Sequence, residues 1–267
     1  PVRSPSPQGQ VTSKTAQLPG AGESNKGSDK SPKAGWEKAP ENKRISIDFK
    51  TGPKTPEKAR PRKPEPGKKY HSWQVCGGDP ESERDIVIGF DFGTACSKII
   101  LQDSQLKKAF AVPFPAFGHR SNPYLLPTAL YVSGNGDVSL SAGGVRIDNL
   151  KLSVLADRNR TLLSKDSGKQ AATALEIAAA YVALVLTEVR EWFFKNKSKE
   201  YKNTYINWEL NVGMPSRSYD DRKMCDLMQL VALSGWNATI DESILLNITR
   251  VKRAVSDARA QLLSDEN

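Results

Sequence analysis

Residues 86–101 read Ile-Val-Ile-Gly-Phe-Asp-Phe-Gly-Thr-Ala-Cys-Ser-Lys-Ile-Ile-Leu, and no other stretch limits the fold as tightly. β-Branched apolar runs on either side of a short polar turn predict two buried strands joined by a tight hairpin. The turn holds Asp91, Gly93, Thr94 and Ser97. Gly93 lets backbone come close, and anchored strands hold the donors still, so the loop can aim N–H groups, a hydroxyl and a carboxylate at an anion such as the phosphates of a nucleotide.

Charge divides the chain in two. Residues 1–80 hold 16 Lys and Arg against 8 Asp and Glu and carry 12 of the 17 prolines, whereas residues 81–267 hold 23 against 22. Almost the whole formal charge of +9 therefore sits in a Pro/Lys-rich segment with hardly any apolar run. Such a segment buries too little surface to offset its ordering entropy, so residues 1–84 are expected to be a disordered basic tail. Its aromatic residues are Trp36, Phe49, Tyr70 and Trp73, too sparse for base stacking. Salt-sensitive, nonspecific contact with nucleic acid or acidic partners is all that its charge implies. The breaker cluster Gly77-Gly78-Asp79-Pro80 marks the change to globular composition, and residues 85–267 suffice for one domain or one lobe with a real core.

Cys76, Cys96 and Cys225, with His71 and His119, show no metal-ligand spacing, which argues against a disulfide framework or a structural zinc site. The longest apolar run, Ile177 to Leu186, is too short to span a bilayer, and no secretory signal is visible. A cytoplasmic protein without membrane insertion is expected, and Asn237-Ala-Thr239 and Asn247-Ile-Thr249 then match the glycosylation pattern by chance.

Beyond the hairpin, Thr128 to Ser133 and Val138 to Ser141 read as strands joined by Gly134-Asn135-Gly136-Asp137. Leu175, Ala178, Ala179, Val182, Leu186, Val189 and Phe193 recur at helical spacing, predicting a long helix from about Gly168 to Lys195. Tyr205 to Val212 alternates like a half-covered strand and ends at Gly213-Met214-Pro215-Ser216. Ser218 and Asp221 suggest a capping box for a helix that stops at Gly235, and Leu245 to Leu262 gives a final amphipathic helix.

Gly89-Phe90-Asp91-Phe92-Gly93-Thr94 resembles the first phosphate motif of the actin, sugar-kinase and heat-shock-chaperone ATPase superfamily, and its heat-shock-70-like branch most of all. Asp91, Phe92, Gly93, Thr94 and Ser97 match that branch, whereas Ala95 and Cys96 stand in place of its usual Thr-Asn. Lys98 lies seven residues after Asp91, the offset at which actins carry a phosphate-contacting lysine. Leu126-Pro127-Thr128 also resembles the stretch by which such ATPases return to their first sheet, and the likeness spans roughly 85–235.

The resemblance implies an α/β fold, a ribonuclease-H-like first lobe of an actin-like ATPase with a mixed sheet and helices. It implies ATP or ADP with Mg²⁺ as cofactors and a client protein or co-chaperone as partner. Asp91 would order water around the metal, or else merely tighten its own turn. Gly93, Thr94, Ala95 and Cys96 would line the phosphates. Lys98 would oppose phosphate charge or simply be a solvated strand-end lysine. Lys151 falls roughly where the family has a catalytic lysine beside the γ-phosphate, with a surface lysine as the alternative. Pro215 and Arg217 follow the strand from which the chaperones signal between domains, although a strand-ending proline needs no function.

The family's second loop, of the Asp-x-Gly-Gly type, does not occur between Gln102 and Asn267. Because phosphoryl transfer needs both walls of a cleft, the chain is expected to bind nucleotide and to leave hydrolysis to a second lobe. An actin-like filament or scaffold protein with a basic interaction tail is the alternative. Asp91-Phe92-Gly93 also spells a protein-kinase tripeptide, but no His-Arg-Asp loop or glycine-rich lid accompanies it, and Gly168-Lys169 is followed by Gln170 rather than Ser or Thr.

Overall fold

The computed structural model describes residues 46–47, 71–164, 170–213, 221–240 and 245–265. Most of the expected disordered tail, the residues Met214 to Ser218 and the helix start at Gly168 lie outside them.

Two short strands come first, β1 (Ser46–Ile47) and β2 (Val75–Cys76), the latter preceded by a 3-10 turn over Ser72–Gln74. The hairpin follows as β3 (Ser82–Asp91) and β4 (Cys96–Asp103), extended by β5 (Lys108–Ala111) into an antiparallel meander. Next come β6 (Leu126–Pro127), β7 (Leu130–Val132), β8 (Val138–Ser139) and β9 (Val145–Ile147). Helix α1 (Leu150–Ala156), β10 (Thr161–Leu163) and β11 (Ala172–Thr173) lead to the long helix α2 (Ala174–Lys197). The chain then forms β12 (Thr204–Val212), α3 (Arg222–Asn237) and α4 (Ile248–Asp265).

The main sheet is mixed, in the order β1-β12-β3-β4-β5, with β2 also on β12 and β6 on β4. β12 runs parallel to β3 in an unbroken register from Thr204↔Ser82 to Val212↔Phe90. A parallel pair needs a crossover, and the chain between β5 and β12 supplies it, with α2 as its principal helix. β7, β8 and β9 make a separate three-stranded sheet, and β10 pairs with β11.

One face of the main sheet is dry. Ile86, Ile88 and Phe90, Ile99 and Leu101, and Ile206, Trp208 and Leu210 alternate inward and are buried, as the period of two demands. Lys98, Ile100 and Gln102 point to the other face and are exposed. α2 covers the dry face with a wide stripe that includes Tyr181, Leu186, Val189 and Phe193, and each large apolar side chain buried this way contributes about 1.5–3 kcal/mol. Helices α3 and α4 pack around it.

Three sequence expectations change here. Folded structure reaches back past residue 84: Cys76 is buried, and Trp208 Nε1 donates to the Trp73 carbonyl at 2.7 Å. Gly77 to Pro80 is therefore a turn within the fold, joining two strands that flank β12 on opposite sides. Composition missed this because the segment is held by backbone pairing to a strand far along the chain rather than by apolar content.

Helix α2 starts at Ala174 because Thr173 and Glu176 form a reciprocal capping box, and Ala172–Thr173 just before it is strand. Helix α3 is capped by Asp221, whose carboxylate accepts from Met224 N, and it runs through Gly235. Gly235 allows close helix packing there: a Cβ at this position would lie 2.5 Å from Val182 Cγ1. No helix among the described residues is long and apolar enough to cross a membrane.

Candidate functional site

The β3–β4 hairpin ends in a loop, residues 92–95, closed by the register pair Asp91↔Lys98. Phe92 points inward and is fully buried, its ring 5.7 Å from both Phe90 and Tyr181 and stacked on the latter. That anchor holds one end of the loop in the core. Gly93 turns the chain: its N–H donates to Asp91 O at 3.0 Å, and a Cβ on it would meet Cys96 O at 2.1 Å. Only glycine fits so tight a backbone approach.

Distant parts of the chain hold the loop's carbonyls. Lys151 Nζ donates to Phe92 O at 2.7 Å, Thr128 Oγ1 to Gly93 O at 2.9 Å and Thr128 N to Ala95 O at 2.9 Å. Beneath them the Ser97 and Thr128 hydroxyls share a buried contact of 3.2 Å, and Tyr181 Oη donates to Pro127 O. The end of β12 closes the side, with Gly213 N donating to Phe90 O at 2.7 Å.

With its carbonyls tied down, the loop's donors face outward. Thr94 and Ala95 are exposed, and among the described residues their N–H groups make no hydrogen bond. Consecutive exposed N–H groups of this kind can meet an anion. Lys98 and Asp91 stand beside it as an exposed pair, 3.8 Å apart. A pair so open to water contributes about 0–1 kcal/mol to folding and leaves both groups available to a ligand. Cys96 is half-buried beside them.

The structure thus brings Asp91, Gly93, Thr94, Ala95, Cys96, Lys98 and Lys151 together, while Pro215 and Arg217 lie outside the described residues. Lys151 takes a different posture from the one expected. It is buried beneath the loop, 5.9 Å from the Phe92 ring centre, with its ammonium on a backbone carbonyl. Burial lowers its pKa, and the negative charge of Asp91 partly opposes the shift. Its charge adds to the positive potential under the loop.

Tyr181 escaped the sequence reading. It sits within the apolar run of α2, where a core aromatic is the default, and its link to the loop shows only in the stacking on Phe92 and the hydrogen bond to Pro127 O. Burial pushes its phenol pKa up, so it stays a hydrogen-bond donor.

Among the described residues no three His, Cys, Asp or Glu side chains gather as a metal cluster. Among the described residues Asp91 is the one carboxylate at the loop, so a divalent cation held by it would be shared with phosphate oxygens and water, the usual manner of Mg²⁺ at nucleotides. No protein-family model matches the chain, and no curated protein or solved structure matches it significantly.

Proposed function

We propose that this chain is the nucleotide-binding lobe of a heat-shock-70-like ATPase, taking the phosphates of Mg-ATP or Mg-ADP on the loop Phe92 to Cys96. The observation that carries the reading is the loop itself, whose carbonyls are bound from below while the Thr94 and Ala95 N–H groups remain outward and uncommitted. The antiparallel meander β3-β4-β5 followed by a helical crossover into a strand parallel to β3 supports the ribonuclease-H-like, actin-like architecture.

In this reading Thr94 and the loop amides hold β- and γ-phosphate oxygens and Asp91 orients water on the metal. Lys98 swings from Asp91 to the phosphates. Lys151 stiffens the loop and lends it charge. Hydrolysis needs a second lobe to close over the nucleotide, and the coupled movement would act on a client protein. Calorimetry of the full chain with ADP, with and without Mg²⁺, tests this. Magnesium-dependent heat that disappears in Asp91→Asn/Thr94→Ala is expected, and heat unaffected by the double substitution overturns the reading.

The position of Lys98 beside Asp91 favours a second reading, an actin-like filament or scaffold protein. Sedimentation with and without nucleotide separates the two, since only a filament former pellets.

A further inference from the structure

At the end of the main sheet remote from the phosphate loop, β4 turns into β5 and α2 gives way to β12. Asp103 is fully buried there. Its Oδ1 accepts from Gln105 N at 2.9 Å and Leu106 N at 2.8 Å, and its Oδ2 accepts from Tyr201 Oη at 3.0 Å. One carboxylate thus locks the β4–β5 turn to the turn that leaves α2. Lys107, left-handed at φ 53°, brings the tip round, and Leu106, Lys107 and Lys108 are exposed on it. Lys197 crosses from α2 to the edge strand, its ammonium 4.1 Å from the Phe110 ring centre and 5.9 Å from that of Trp192. Lys199 and Lys202 are exposed in the turn that follows.

Among the described residues the charge on this platform is one-sided. Arg84, whose Nη1 donates to Gln105 Oε1, joins Lys107, Lys108, Lys197, Lys199 and Lys202. Against them stand Glu200, paired with Lys108, and the buried Asp103. Lys195 and Glu191, one turn apart higher on α2, offset each other. Asp79 and Glu81 belong to the other margin, in the β2–β3 turn beyond β3 from the tip.

We propose that this end of the domain docks on an anionic lipid membrane surface, with its lysines among the headgroup phosphates and Leu106 pressed between the headgroups. Lysines act as point charges that need no fixed geometry from the phosphate, and each one near an anionic leaflet adds to the attraction. An apolar side chain 38% exposed at the apex of a basic turn gains from a lipid surface and gains nothing from a sugar-phosphate backbone. The faces of Phe110 and Trp192 already receive Lys197, which leaves them no stacking to offer a base. The phosphate loop lies at the other end of β4, roughly 25 Å away. Docking leaves it open, and the inference stands apart from the nucleotide reading.

The test pellets the full chain with sucrose-loaded vesicles of phosphatidylcholine, alone or with about 30% phosphatidylserine. The chain should pellet with the charged vesicles only and be released as salt rises. Lys107→Glu/Lys199→Glu changes two exposed positions and should weaken binding at least roughly tenfold. Leu106→Trp should add an indole whose emission brominated lipid quenches. Residues 1–80 carry positive charge of their own; binding by them alone would leave the reversed chain bound like the parent and the new indole unquenched, and either result overturns the proposal. So does loss of polyuridylate binding in the reversed chain while its vesicle binding is unchanged.

Discussion

The two halves of α2 support two differently built places. Around Tyr181 a loop of four residues is held by hydrogen bonds to its carbonyls and by one buried phenyl ring, and it offers bare amides to the outside. Around Arg190 and Phe194 a cavity opens whose walls are aromatic faces and aliphatic chains from several segments, with the Arg190 guanidinium clamped between two indoles. The first presents fixed donors and tolerates little movement. The second is walled by side chains and is open to repacking. Rigidity at the loop comes from saturating one side of a backbone with partners; the cavity comes from elements that meet without filling the space between them.

The sharpest contrast should appear on truncating the aromatic residue at each place. Phe92→Ala removes a fully buried ring and is expected to cost about 3–5 kcal/mol in urea unfolding. Phe194 is only partly buried, so Phe194→Ala should cost roughly half that or less. Equal losses would show that the loop is no better anchored than the cavity.

Next in size is Thr128→Val, which keeps the shape but removes the donor to Gly93 O and the contact with Ser97. About 1–3 kcal/mol is expected, together with faster amide hydrogen exchange at Thr94 and Ala95. Unchanged exchange there would mean that the tie from below does not hold the loop.

Alkaline pH acts on both regions. Burial pushes the Cys76 thiol, next to the 3-10 turn, up to about 12 from an ordinary 9.0. The folded state therefore keeps a proton that the unfolded chain releases above about pH 8.5, and stability is full below that and falls as pH rises towards 12. Tyr181 and Tyr201, also raised by burial, act in the same direction higher up. Lys151, lowered by burial, works against them, because the unfolded chain holds the extra proton in its window. Thermal midpoints should thus decline from about pH 9 upward, and Cys76→Ala should flatten the first part of the decline.

The smallest effect on folding should come from Asp91→Asn or Lys98→Met, within about 1 kcal/mol by denaturation because both side chains are exposed. Their loss should instead be visible in Mg-ADP binding. A large stability change would recast the pair as structural.

What the sequence disclosed follows the same division. The hairpin, its register and its exposed tip are local, written in consecutive residues, and β12 and α2 declared themselves by periods of two and of three to four. The ties from Lys151 and Thr128 join residues 59 and 35 positions apart, and nothing in a single sequence pairs them. Resemblance drew attention to Lys151, but its burial under the loop depends on the helix that starts at Leu150 after an Asn149 in left-handed geometry. The cavity was invisible because its walls come from five stretches with no shared pattern, and the segment containing Trp73 had the polar composition of a tail.

The parallel pairing of β12 with β3 has a consequence for synthesis. Partners such as Ile86 and Trp208 are separated by roughly 120 residues, which a ribosome adds at about 5–20 residues per second, so the hairpin waits on the order of 6–24 seconds for its neighbour. During that interval the β3 edge, rich in isoleucine, is open to any strand that passes. A slower ribosome between Asp103 and Thr204 should therefore lower the yield of native chain, whereas the same delay placed before Ser82 should leave it untouched.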